Sequence, residues 1–207
     1  MAKVQYEIRV AFESEADSVA EFLNNYFYGW SPLTEISGNA NGSKSDILLP
    51  SVTLKNSTIV KEGLSIIAVS DTGEIIGASI NETLNSEPVS SIYEIALLVS
   101  TVNDVMNEKR KAKKEMLSGI LVVHPDWRGN GIAGALLSQA IELAKEKKFD
   151  QIRCHCTNAY SARVYEKCGF EYIHSIRYED YKIDDKVVFK PRSPHTHIHG
   201  MALRLDN

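Results

Sequence analysis

The 207-residue sequence predicts one mixed α/β domain. Three observations carry this. An apolar run, Gly119–Val123, stops at a glycine-spaced turn and enters an amphipathic helix. A second apolar strand, Gln151–Cys156, repeats the strand-to-helix step further on. The tail then returns to strands with no helix between them.

The elements follow in order. Lys3–Val10 alternates and reads as a first strand. Glu13–Tyr28 has helical spacing through Val19, Phe22, Leu23, Tyr26 and Phe27, with Ser14 as its expected cap. The pattern weakens from Gly29 to Ser65, where residues 38–45 form a polar loop followed by short helices. Leu64–Val69 and Glu74–Thr83 make a hairpin turned by Asp71-Thr72-Gly73. Ser90–Leu117 reads as a long helical insertion, and its charge run Lys109–Lys114 as a solvated helix face. After the first strand-to-helix step the helix spans Ala133–Lys147. Strands Glu171–Tyr181 and His195–Leu205 close the chain. No repeat or linker interrupts residues 1–207, so a single domain is expected.

Composition excludes several classes. A formal charge of −4 leaves no basic footprint for nucleic acid. No apolar stretch reaches membrane length, and the N-terminus carries no signal pattern. Cys154, Cys156 and Cys168 are few and odd in number, which favours reduced thiols and a cytoplasmic chain. The sequons at Asn41, Asn56 and Asn81 then have no role. A monomer or weak dimer is expected.

The most informative segment is His124-Pro-Asp-Trp-Arg128-Gly129-Asn130-Gly131-Ile132-Ala133-Gly134. Glycines at a strand end let backbone N–H groups turn toward an anion, and the following helix adds its positive end. Arg128 adds a charged donor. No Gly-Lys-Ser/Thr ends the turn, so it is not a Walker loop. Gly129-x-Gly131-x-x-Gly134 fits a dinucleotide fingerprint, but it opens no βαβ array and lacks a partner acid at a strand end. A tight turn that binds nothing is the plain alternative.

A second motif, Asn158-Ala-Tyr-Ser161-Ala-Arg-Val-Tyr165-Glu-Lys-Cys-Gly169-Phe170, follows Gln151–Cys156. Asn158 suits a helix N-cap and Gly169 a C′ position. Ser161 and Tyr165 are four apart on one face.

Together these motifs resemble the GNAT superfamily of N-acetyltransferases. Arg128-x-x-Gly131-x-Ala133 is similar to the coenzyme A pyrophosphate loop. The segment from Asn158 to Phe170 is similar to the motif that flanks the pantetheine arm. The resemblance implies a mostly antiparallel mixed sheet, splayed at an acetyl-CoA cleft and flanked by helices. It implies donor contacts from Leu121, Val122, Val123, Arg128, Gly129, Asn130, Gly131, Ile132, Ala133, Gly134, Asn158, Ser161 and Tyr165. Tyr165 would donate a proton to the departing thiolate, and no metal is implied.

The C-terminal third narrows the resemblance. Tyr160–Val164, Glu166–Phe170, Asp180-Tyr181, Val188–Pro191 and Pro194-His195 resemble arylalkylamine N-acetyltransferases of insects and related invertebrates, which act on dopamine, tyramine, octopamine or serotonin. In those enzymes a glutamate directly before Pro-Leu is the proposed base. Here that place holds Ser31. Their paired serines correspond to Thr157 and Ser161, so both hydroxyls are kept. The insect dopamine enzyme lacks the tyrosine found here at 165, which moves the acid role from Ser161 to Tyr165.

An amine must lose a proton before it attacks, since alkylammonium groups titrate near pH ~10. Two routes stay open: Glu35, one helical turn after Ser31, or a water chain with no single base. Tyr28, Trp30, Ser31 and His195 are the candidate acceptor contacts, with a packing role the alternative for the aromatics. His195, His197 and His199 alternate, but without a cysteine or carboxylate partner they make a weak metal motif. Two other readings fit the same motifs. The acceptor is a polyamine or agmatine, or the donor a longer acyl-CoA. The other is a CoA-binding relative without turnover.

Overall fold

The structure is a computed structural model that describes residues 5–28, 33, 60–84 and 93–206. Among these residues one seven-stranded sheet dominates. In spatial order its strands are β1 (Tyr6–Val10), β2 (Ile66–Ser70), β3 (Ile75–Thr83), β4 (Glu115–Val123), β5 (Gln151–Cys156), β9 (His197–Arg204) and β6 (Glu171–Arg177). A small hairpin, β7 (Lys182–Ile183) and β8 (Lys186–Val187), lies apart from it. All neighbours in the large sheet pair antiparallel except β4 and β5. Those two need a crossover, and α3 (Ile132–Glu146) supplies it.

Alternation sends the two faces of the sheet to different helices. Met116, Leu121 and Val123 of β4, with Ile152, Cys154 and Cys156 of β5, face α3 and α4 (Ala159–Lys167). Ile120 and Val122 face α1 (Ala16–Leu23), whose apolar stripe is Val19, Phe22 and Leu23. Helix α2 (Tyr93–Lys109) packs Leu98, Val102 and Met106 on Ile198 and Ala202 of β9. Gly200 lies between them, and a Cβ there would meet Val102 and Met106 at 2.5 Å. None of the helices among the described residues is long and apolar enough to cross a membrane.

A buried charge ties β5 to its surroundings. Arg153 is 2% exposed and points to the α2 face. It pairs with Glu115 of β4, donates to Asn107 Oδ1 at 2.6 Å, and donates to the Arg110 carbonyl at 3.0 Å. Beside it, His155 lies 2.8 Å from Asn103 of α2. Burial, then the Arg153 charge, push His155 down to about 4, so it is neutral near pH 7.

Several expectations are corrected. The expected helix Ser90–Leu117 ends at Lys109, and β4 begins at Glu115 rather than Gly119. The reason is tertiary: the Asp150 carboxylate accepts from the Lys113 and Lys114 amides, and Arg153 holds Glu115. Arg110–Lys114 therefore lies in a connector, not on a helix face. Arg110 pairs with Glu171, and Lys114 Nζ donates to the Lys147 carbonyl at 2.6 Å. Ser14 does not cap the first helix. Glu15, gripped by Arg9 at 2.6 and 2.7 Å, accepts the Phe12 N–H instead. The segment runs as a 3₁₀ turn Glu13–Glu15, then α1, then a wider turn Asn24–Tyr28. The C-terminal strand starts at His197, two residues after His195. The partner strand ends at Arg177, four residues short of Tyr181.

Arg153→Ala should cost about 3 kcal/mol in urea unfolding, because Glu115 and Asn107 lose a buried partner. Arg177→Ala, which breaks an exposed pair with Glu179, should stay within about 0.5 kcal/mol. Equal effects would show that burial of Arg153 is not what matters.

Candidate active site

β4 and β5 pair over only three registers, Glu115↔Gln151, Met116↔Ile152 and Leu117↔Arg153. Beyond Leu117 they separate. β4 stays with β3 to Val123, and β5 stays with β9 to Cys156. A bulge sits at the fork: Asn81 pairs with Ser118 and Ile80 with Ile120, so Gly119 is the extra residue. Among the described residues, the inner edge of β4 after Ser118 therefore has no strand beside it. This is the wedge-shaped opening expected of a splayed sheet.

Tyr165 reaches this fork from α4. Its ring is 3% exposed and packs edge-on against Phe170, with centroids 4.9 Å apart. Its hydroxyl lies 2.8 Å from Ser118 Oγ, and Ser118 is 2% exposed. Burial holds the phenol well above its ordinary range. The Cys154 and Cys156 thiols add to this, and the Ser118 hydrogen bond opposes it. Cys154 and Cys156 line the wall beneath as free, buried thiols with Sγ atoms 3.7 Å apart.

The outer end of the opening is the glycine turn. A 3₁₀ turn Pro125–Trp127 leads from β4, and α3 starts after Gly131. Gly129 (φ +82°) and Gly131 (φ +79°) adopt the left-handed conformation that side chains resist. Asn130 Nδ2 braces the turn against the Trp127 carbonyl at 3.1 Å. Gly131 supplies no capping side chain, so the first-turn amides of α3 have no side-chain cap. Ile132 is 1% exposed, so only its backbone can meet a ligand. Val122 and Val123 are buried likewise, while Leu121 is half-buried. Ala133 and Gly134 are half-buried. Arg128 Nε donates to the Val123 carbonyl at 3.1 Å, which holds the exposed guanidinium over the turn.

The α4 N-terminus forms a further wall. Asn158 caps it, accepting from the Tyr160 and Ser161 amides at 3.1 and 2.8 Å. Ser161 Oγ donates to the Asn158 carbonyl at 3.0 Å. The Thr157 carbonyl accepts from the Tyr178 hydroxyl at 2.7 Å. His195 Nδ1 accepts the Ala159 N–H at 3.2 Å, and its ring meets Tyr160 edge-on. Burial lowers the His195 pKa. Thus Asn158, Thr157, Ser161 and His195 share one end of α4. His197 and His199 stack with centroids 5.4 Å apart, further along β9.

Trp30, Ser31 and Glu35 lie outside the described residues, as does the side chain of Tyr28. Two features were missed from sequence. Ser118 fell outside because the strand was begun at Gly119, four residues late; its signal was a lone hydroxyl within an apolar run. His124 was read only as a strand end. Its Nε2 lies 3.0 Å from the Tyr26 hydroxyl, which fastens the turn after α1 to the end of β4.

The acetyltransferase (GNAT) family model matches residues 43–170. The chain belongs to the GNAT acetyltransferase family. Its fold is similar to that of a polyamine N-acetyltransferase from Drosophila melanogaster that forms N-acetylagmatine, at 22% identity and a TM-score of 0.80, with 97% of this chain and 100% of that one covered. Arylalkylamine N-acetyltransferase 2 from Aedes aegypti is similar at 23% identity and a TM-score of 0.82, covering 98% and 100%. A GNAT phosphinothricin acetyltransferase from Sinorhizobium meliloti, solved in complex with acetyl-CoA, shares 18% identity and a TM-score of 0.56 over 97% of this chain and 88% of that one. The wedge between β4 and β5 is thus the feature of a GNAT sheet, and acetyl-CoA is the family's acyl donor.

Asn158→Ala should lower stability by about 1 kcal/mol in urea unfolding, because two first-turn amides lose their acceptor. Asn158→Asp should keep it, since a carboxylate also caps and complements the helix dipole. A loss as large in the Asp variant would mean that Asn158 acts otherwise than as a cap.

Proposed function

We propose that this GNAT acetyltransferase acetylates small primary amines, with arylalkylamines such as dopamine, tyramine, octopamine and serotonin as the preferred class. The carrying observation is the fork after Leu117 and Arg153, with the Tyr165 hydroxyl at its vertex and the glycine turn at its outer end.

This geometry suits a long donor with an anionic head. The amides of Gly129–Gly134, with Arg128, would meet the diphosphate. The inner edge of Leu121–Val123 offers backbone groups to the pantetheine arm, and Asn158 and Ser161 flank it from α4. The donor supplies an activated acetyl thioester.

Donor and amine are held together, and the acetyl group passes directly between them. Backbone N–H groups on the β4 edge favour the carbonyl oxygen as it becomes negative. Tyr165 holds the proton that the departing sulfur needs. A phenol kept well above its ordinary range is protonated at neutral pH, as a general acid must be. Ser161 in the first turn of α4 and Thr157, just before its cap, would serve as accessory hydroxyls. Deprotonation of the amine is assigned to Glu35 or to a water chain, and Tyr28, Trp30, Ser31 and His195 to the acceptor side. Support for an aromatic acceptor comes from Tyr26 and Phe27, partly buried on the α1 face beside Val122 and Ile120. Polyamines or agmatine form the second reading, favoured by the fold likeness to the Drosophila enzyme; the net charge of −4 suits cationic acceptors of either class.

Free-thiol release from acetyl-CoA should be fastest with dopamine, tyramine and serotonin in a panel that includes histamine, agmatine, spermidine and a basic peptide. Turnover confined to agmatine or spermidine would replace the acceptor class. Glu35→Ala should weaken the acid limb of kcat/KM; an unchanged limb favours the water chain.

Tyr165→Phe should lower kcat by about 100-fold with little change in KM. A variant at wild-type kcat would remove Tyr165 from the acid role.

A further inference from the structure

We infer that Ser118 is a positioning residue for the transfer: its hydroxyl donates to Tyr165 Oη, aims the Tyr165 proton into the fork and stabilises the phenolate left behind. This rests on Tyr165 being the general acid.

The pair is the polar contact at the vertex of the opening. Ser118 is the last β4 residue before the bulge, and its side chain faces α4. Met116, two residues earlier, faces the same way into an apolar core. A serine there exposes a hydroxyl to apolar surroundings, which costs free energy unless it is hydrogen-bonded. Tyr165 supplies the partner at 2.8 Å.

Either oxygen can be the donor in the resting pair, but the reaction selects one arrangement. The amine nitrogen forms a bond to the carbonyl carbon, and the carbon–sulfur bond breaks with its electron pair on sulfur. The Tyr165 O–H proton goes to that sulfur, giving the free thiol. The proton lost by the amine nitrogen restores Tyr165 through solvent, so the sum is amine plus thioester to amide plus thiol. Tyr165 can point its proton at sulfur only if it is not donating to Ser118, so Ser118 must donate.

Burial makes this donation matter. A phenolate enclosed by Phe170 and the Cys154, Cys156 and Cys168 thiols meets groups that stabilise a negative charge poorly. A hydrogen bond to the ionised form offsets part of that penalty. It fixes the direction of the proton as well.

The test uses the full chain, acetyl-CoA and whichever panel amine turns over. Ser118→Ala, Ser118→Thr, Tyr165→Phe and the double variant are compared by free-thiol release, with melting temperatures recorded for each. Ser118→Ala should lower kcat about tenfold, the size of one buried hydrogen bond, with KM for acetyl-CoA within about twofold. Ser118→Thr, which keeps the hydroxyl on a strand-compatible residue, should restore most of it. In the Tyr165→Phe background, Ser118→Ala should have no further effect on kcat. Wild-type kcat in Ser118→Ala beside an impaired Tyr165→Phe overturns the inference and leaves Tyr165 as the acid. Multiplying losses in the double variant also overturn it, because they make Ser118 a packing residue. A fully active Tyr165→Phe, or no turnover with any amine, removes the reading beneath it.

Discussion

Arg153 carries its charge into the interior from β5, and the opening beside it depends on how that charge is held. An unpaired guanidinium there would be prohibitive, so Glu115 must lie across the parallel seam. Asn107 and the Arg110 carbonyl take further donors and bring the end of α2 to the same point. The closed part of the β4–β5 pair is thereby clamped at one end. The open part can widen without loosening the sheet, because β3 and β9 hold the two strands from outside.

The chemistry follows from that division. The bulge at Gly119 marks where β4 leaves β5, and among the described residues the fork leaves an unpaired inner edge. Fold-wide alternation then assigns the sides. Ser118 faces α4 and meets Tyr165, whereas Ile120 and Val122 face α1 and the turn fastened by Tyr26 and His124. Under the proposed function, donor and amine would approach opposite faces of one strand. The glycine turn sits where β4 ends because the crossover helix must begin there, so its free amides are a product of the same parallel connection.

Much of this arrangement was legible in the sequence. Gln151–Cys156 is a strand with its expected ends, and the hairpin and α3 differ by a residue or two. These segments have strong periodicity bounded by glycine or by a capping side chain. The motif from Asn158 to Phe170 gave the Asn158 cap and the helix behind it correctly, because caps are local. The failures are tertiary. Residues 110–118 carry lysines that suit a helix, but Asp150 and Arg153, distant in sequence, draw them into a connector and a strand. That error hid Ser118. Likewise the Tyr26–His124 contact joins residues whose separation no local pattern encodes. Ser31 and Glu35 remain outside the described residues, so the amine's base rests on sequence spacing alone.

The proposed chemistry requires the fork to seat the acyl donor. A crystal structure with coenzyme A bound tests this most directly. The expected result has the diphosphate on the amides of Gly129–Gly134, the pantetheine arm along the inner edge of β4, and the sulfur within hydrogen-bonding reach of Tyr165 Oη. Coenzyme A bound outside the wedge, or a sulfur turned away from Tyr165 toward another proton donor, would contradict it.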